Sequence, residues 1–182
     1  MKKLIIGAAI LFIQMSFGQV TKDLGDFDSV KVFDKLSVKL VQGSENKIVI
    51  KGTRESEVEV VNKKGLLKLR MPFPKLLSGN DLDITVYYKR IELIDVNEGA
   101  MVTSSDVIKA TVFKVSAQEG GKINVDLDVD KLNVRIFALH PRFGVCGKHA
   151  GLQWITRLLL NRELPLFLQS RWQLPLTIVF LS

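Results

Sequence analysis

One cysteine in 182 residues excludes an intramolecular disulfide framework and a four-cysteine zinc site. There are two histidines, two tryptophans and two tyrosines. An apolar run of spanning length, about 20 residues, is missing, which excludes a multi-span membrane protein. No amphipathic stripe of helical period occurs between residues 19 and 136. Wholesale disorder is excluded as well, because 47% of the residues are hydrophobic and only 25% charged.

The formal charge of +7 is unevenly spread. Residues 19–136 carry 19 basic and 18 acidic side chains with both signs interspersed, so no nucleic-acid footprint is expected there. The excess sits in Lys2 and Lys3 and after residue 136, where five basic residues meet only Glu163.

Residues 1–18 read as a secretory signal peptide. Lys2 and Lys3 form a basic start, residues 4–12 an apolar core, and Ser16 and Gly18 the small residues before a cut at Gln19. The core is too short to span a bilayer, and no transmembrane span is expected once it is removed. The protein is therefore expected in the periplasm, on the outer cell surface or outside the cell.

From Phe27 onward the period is two. Val30 and Val32, then Leu36, Val38 and Leu40, alternate with Lys31, Ser37 and Lys39. Ile48 and Ile50, Val58 and Val60, Leu67 and Leu69, and Ile84 and Val86 follow the same rule. So does the run Ile123, Val125, Leu127 and Val129. Alternation places one face in a core and the other in water. Turn signals punctuate the runs at Gly43, Gly65 and Gly79. The class is all-β. Met71-Pro72-Phe73-Pro74 lacks two ladder donors and reads as a rigid loop.

Asn97-Glu98-Gly99-Ala100 recurs as Gln118-Glu119-Gly120-Gly121, 21 positions on. In the same register Val102 matches Ile123, Ile108 matches Val129, Phe113 matches Val134, and Ile94, Val115 and Ile136 form a three-step ladder. A strand-rich repeat of about 21 residues predicts a right-handed β-helix or solenoid over 19–136, truncated at its C-terminal end. A β-sandwich is the competing architecture.

Gly25-Asp26-Phe27-Asp28-Ser29-Val30-Lys31-Val32, Lys75-Leu76-Leu77-Ser78-Gly79, Val86-Tyr87-Tyr88-Lys89, Glu98-Gly99-Ala100 and Gln118-Glu119-Gly120 resemble the Bacteroidetes family described as "putative auto-transporter adhesin, head GIN domain". The likeness spans residues 19–136. It implies a secreted, right-handed β-helical protein of unassigned function and carries over no catalytic motif.

Residues 137–182 break the pattern. Leucine fills 11 of 46 positions, Lys148 is the one lysine, and both His, both Trp and the Cys lie there. A frameshift accounts for this better than a linkerless domain boundary. Read one base on, Trp154 and Trp172 yield glycine. Ser170-Arg171-Trp172 can then conceal Ala-Gly-Gly, and Arg142 a glycine 21 positions after Gly121. The nucleotide sequence decides this. The tail is expected to be disordered or sticky and to leave the ladder edge after Ile136 open.

Three groups carry possible chemistry. Cys146, His149 and His140 have spacing that could begin a metal site or pair a thiol with a base, but no second ligand pair exists. Asp126, Asp128 and Asp130 share one strand face: a solvated acidic face, a calcium site or a glycosidase carboxylate pair. Tyr87 and Tyr88 point to opposite faces, so at most one can stack on a sugar. No catalytic, cofactor or metal residue is assigned, and no enzyme activity is expected. The primary functional reading is an envelope or surface protein, structural or adhesin-like, with envelope glycans or other surface proteins as partners. The alternatives are a carbohydrate-binding or carbohydrate-cleaving β-helix and a non-functional product of a frameshifted gene.

The mature N-terminus is expected at Gln19. Mass spectrometry of the exported protein checks this, and a retained Met1 in envelope fractions would count against it.

Overall fold

The computed structural model describes residues 19–137, 143–149, 152–156 and 166–180, with side chains placed from Val20 to Ile136. The signal-peptide reading of residues 1–18 lies outside the described residues.

The described chain is all-β, with a single 3₁₀ turn at Glu55–Glu57 and no α-helix. Thirteen strands form one curled sheet. They are β1 (Gln19–Asp23), β2 (Ser29–Val32), β3 (Ser37–Gln42), β4 (Lys47–Lys51), β5 (Glu59–Lys63), β6 (Leu66–Arg70), β7 (Asp83–Tyr88), β8 (Leu93–Val96), β9 (Met101–Gln118), β10 (Lys122–Phe137), β11 (Phe143–His149), β12 (Leu152–Thr156) and β13 (Leu166–Phe180).

The heart of the sheet is parallel and folded into two rows. In one row β3 lies between β7 and the start of β9, and the start of β10 follows. In the other, β2 lies between β6 and β8, and the ends of β9 and β10 follow. The 18-residue β9 and 16-residue β10 thus belong to both rows. Antiparallel strands flank the parallel heart: β4 and β1 beyond β7, and β5 beyond β6.

Period-two alternation converts this register into apolar ladders. Leu67, Val30, Ile94, Val115 and Val134 stand side by side on consecutive parallel strands, all turned inward. Ile84, Val38, Val102 and Ile123 do the same in the facing row. The two ladders join one hydrophobic core. Each fully buried aliphatic side chain there contributes about 1.5–3 kcal/mol over its exposed state.

The 21-residue spacing is present as strand pairing, but only locally. Leu93–Val96 pairs with Lys114–Ala117, and Met101–Thr103 with Lys122–Asn124, each 21 positions apart. After that the spacing falls to 19. Ile108 pairs with Leu127, Phe113 with Leu132 and Val115 with Val134, rather than with Val129, Val134 and Ile136. The cause is a bulge in which β9 carries two more residues than β10 between Thr103 and Val107. An insertion of two keeps side-chain parity, so inward residues stay inward. The loose N–H of Asp126 donates to Ser104 Oγ at 3.3 Å. Parity flips further on, in both strands together. Ile108 is buried but Phe113 is the next fully buried position, and Val129 is followed by Leu132. This is the bend that carries both strands from one row into the other.

The opposite bend is a stack of tight turns. Phe33–Leu36, Asn97–Ala100 and Gln118–Gly121 are each closed by a hydrogen bond from the fourth residue's N–H to the first residue's carbonyl. Both central residues of each have positive φ: Asp34 and Lys35 at 59°, Glu98 and Gly99 at 53° and 70°, Glu119 and Gly120 at 48° and 83°. That is the signature of a type I′ turn. The turns are also bonded to one another. Gly79 N–H donates to Asp34 O, Lys35 N–H to Glu98 O and Gly99 N–H to Glu119 O, at 2.9–3.0 Å.

The expected open edge after Ile136 is not found. β13 pairs antiparallel with β10, from Ile123↔Ile178 to Val134↔Leu166, and β11 and β12 extend it. An unpaired edge offers backbone donors and acceptors to any extended segment, whether or not that segment alternates. The expected disorder of the tail is likewise not seen in these three stretches, which are extended and paired.

Gly121 shows how closely the turns pack. A Cβ there would lie 2.4 Å from the Val96 carbonyl oxygen, whereas one on Gly43 would meet nothing nearer than 3.7 Å. Gly121→Ala is expected to destabilise the fold by about 1–3 kcal/mol, and Gly43→Ala to stay within about 0.5 kcal/mol. Urea unfolding of the full chain compares the two.

Candidate functional site

Asp126, Asp128 and Asp130 alternate with buried Val125, Leu127 and Val129, as their spacing predicts. Asp126 and Asp130 are exposed and Asp128 half-buried. Asp128 stands opposite Lys109 on β9. Asp130 sits at the bend where parity flips, so the row is not a straight run of three. Among the described residues no group of three or more His, Cys, Asp or Glu side chains is gathered as a metal site. Cys146 and His149 lie on β11, and His140 falls outside the described residues.

The tyrosine pair divides as alternation requires. Tyr87 is half-buried on the outward side of β7, with the Lys47 ammonium 5.1 Å from its ring centroid. Tyr88 is buried, and its hydroxyl has no hydrogen-bond partner among the described residues. Burial, and secondarily the charge of Asp106, push this phenol up to about 12.

The stacked turns gather acids that sequence reading did not single out. Asp34 is 1% exposed. Its Oδ2 accepts from Met71 N–H at 2.9 Å and its Oδ1 from Leu77 N–H at 3.0 Å. It thereby anchors the loop containing Met71-Pro72-Phe73-Pro74, in which Met71 is buried and Phe73 85% exposed. Glu98 lies beside Asp34 in the next turn, and Glu119 follows in the turn after that. Burial first, then the charge of Asp34 and a hydrogen bond to its carboxylate, then Glu119, raise the Glu98 carboxyl above its ordinary range. The signal for Asp34 was available only as Phe33-Asp34-Lys35-Leu36 between two alternating runs. Without glycine it does not resemble the other two turns. Both donors to Asp34 are backbone N–H groups of the loop it anchors, 37 and 43 positions along the chain, so this carboxylate is a structural clamp.

The outward side of β6 and β2 holds the second constellation missed in the sequence. Lys31 and Lys68 stand directly opposite each other on parallel strands. Their ammonium groups lie 5.3 and 4.7 Å from the centroid of half-buried Phe33.

With this geometry in place, the chain belongs to the family described as "Putative auto-transporter adhesin, head GIN domain", whose model matches residues 26–138. Its fold is similar to three crystal structures of proteins described as putative adhesins. That of Bacteroides fragilis has TM-score 0.58 at 18% identity, covering 68% of this chain and 61% of that one. That of Parabacteroides distasonis has TM-score 0.53 at 11% identity, covering 66% and 56%. That of Parabacteroides merdae has TM-score 0.51 at 14% identity, covering 62% and 52%. The matched part thus spans about half to three fifths of these structures' own length. No curated protein matches this chain.

Glu98 gives a testable pH dependence. A carboxyl raised in the folded state binds more protons folded than unfolded, so its contribution to stability is present at low pH and lost as pH rises through the folded value. Glu98→Gln, which keeps a donor toward Asp34, is expected to raise the melting temperature at pH 7. The gain should shrink toward zero near pH 4. Thermal melts at both pH values check this, and an equal gain at both would contradict the assignment.

Proposed function

We propose that this is an exported envelope or cell-surface protein whose curled sheet is a β-solenoid, acting as a structural or adhesin-like module without catalysis. The observation that carries the reading is the parallel stack itself. Turns, ladders and backbone bonds repeat from strand to strand and leave two broad outward faces. A surface of that kind suits contact with an extended partner better than enclosure of a small substrate. The family description of an adhesin head points the same way. Envelope glycans or other surface proteins are the proposed partners.

A carbohydrate-binding solenoid is the second reading. Tyr87, outward-facing beside Lys47, favours it. An aromatic face suits sugar C–H groups, and a neighbouring ammonium suits hydroxyl or carboxylate oxygens.

Two measurements test the proposal. Protease added to intact cells should remove an epitope placed on the folded stack, and the full chain should retain surface glycans or surface proteins without turning them over. Turnover of a retained glycan would replace this reading with a hydrolase. A protected epitope together with no retention would overturn it.

A further inference from the structure

We infer that the outward face of β5, β6 and β2 is a docking surface for an acidic polysaccharide, centred on Lys68 and Phe33. This deepens the proposed surface role and rests on it.

Lys31, Lys63, Lys68 and Arg70 outnumber Glu59 and Asp95 here, so the face carries an excess of positive charge within a nearly neutral segment. Strand pairing puts Lys63 beside Leu66, Val61 beside Lys68, Glu59 beside Arg70 and Lys31 beside Lys68. Both nearby carboxylates are already engaged. Glu59 holds Arg70 at 2.6 Å, and Asp95 on β8 holds Lys31 at 2.7 Å. Lys63 and Lys68 have no carboxylate within ion-pair distance among the described residues.

Like charges directly opposite each other on neighbouring strands destabilise a sheet. The Lys31–Lys68 pair is such a contact, partly offset by the Phe33 ring that both ammonium groups approach. An external anion would relieve it further. Val61 and Leu66 are 46% and 37% exposed on the same face.

Cationic points set among flat apolar and aromatic surface match the two sides of a uronic acid unit: a carboxylate, and a ring face of C–H groups. Neighbouring strands about 4.8 Å apart offer successive contacts to an extended polymer. A membrane is the poorer fit, because Val61 and Leu66 are only partly exposed and Phe33 is half-buried under two ammonium groups. Phe73, which does project, belongs to a separate loop.

The test is affinity electrophoresis of the full chain in gels containing polygalacturonate, with neutral dextran and phosphatidylglycerol vesicles as the other arms. Polygalacturonate should retard the protein, and salt should weaken the effect. Lys68→Gln should weaken binding roughly tenfold. Lys51→Gln removes the same charge from β4 in the other row and should change it less than about twofold. Lys68→Glu is the decisive variant. It places opposite charges across the Lys31 pair, so the melting temperature should hold or rise while polygalacturonate binding disappears.

No retardation by polygalacturonate, an equal loss with Lys51→Gln, or retained binding in Lys68→Glu would each overturn the inference. So would vesicle binding with the same dependence on Lys68, which would make the face a lipid surface. Retention of neutral glycans or surface proteins alongside any of those results would leave the broader surface role standing while removing this face from it.

Discussion

The structure depends on a backbone conformation that most residues avoid. Three successive turns hold two neighbouring residues at positive φ, and in each at least one of the two is not glycine. Left-handed conformation costs a non-glycine residue about 1–2 kcal/mol. The turns hold because each is bonded to the next through its backbone, Lys35 to Glu98 and Gly99 to Glu119, and because Asp34 ties the loop above into the same stack. Aligned turns start each following strand at the same height. Parallel register, and with it the side-by-side placement of Val30, Ile94, Val115 and Val134, follows from that alignment.

The same alignment has an electrostatic consequence. Residues at one turn position fall above one another, so Asp34, Glu98 and Glu119 are brought together although 64 and 21 positions separate them in the chain. Only Asp34 is compensated by two backbone donors. Glu98 holds its proton more tightly than usual, first because it is partly withdrawn from water and second because Asp34 and Glu119 lie beside it. Stacking on the strands acts alike: Lys31 and Lys68 meet because β2 and β6 are in register. In a parallel stack, repeated positions concentrate charge of one sign, and an aromatic such as Phe33 or an acid such as Asp95 must absorb it.

Much of the fold was legible because strand alternation is local. Val30–Val32, Leu67–Leu69 and Ile123–Val129 declare their buried faces without reference to a partner, and the structure buries those faces. The Gly99 and Gly120 turns were legible because glycine marks positive φ. The Asp34-Lys35 turn was not, since its geometry is imposed by neighbours rather than by its residues. The repeat could be followed to Thr103, but the two-residue bulge shifts all later pairs from 21 to 19. A bulge of two preserves the alternation on which sequence reading relies, so it leaves no trace there. Alternation likewise assigned Tyr87 and Tyr88 to opposite faces, and the structure turns Tyr88 inward with Ile84 and Val86.

By itself the sequence determined an all-β chain, which faces of its strands are apolar, and where two of its tight turns fall. Each of these is set by interactions within a few residues. Only the tertiary structure decided which strands are neighbours, where β9 and β10 bend from one row to the other, that β13 closes the β10 edge antiparallel, and which distant side chains share a surface. Those outcomes depend on backbone hydrogen bonds between segments tens of residues apart. Backbone groups are chemically the same in every residue, so no side-chain pattern records which pairs of them will meet.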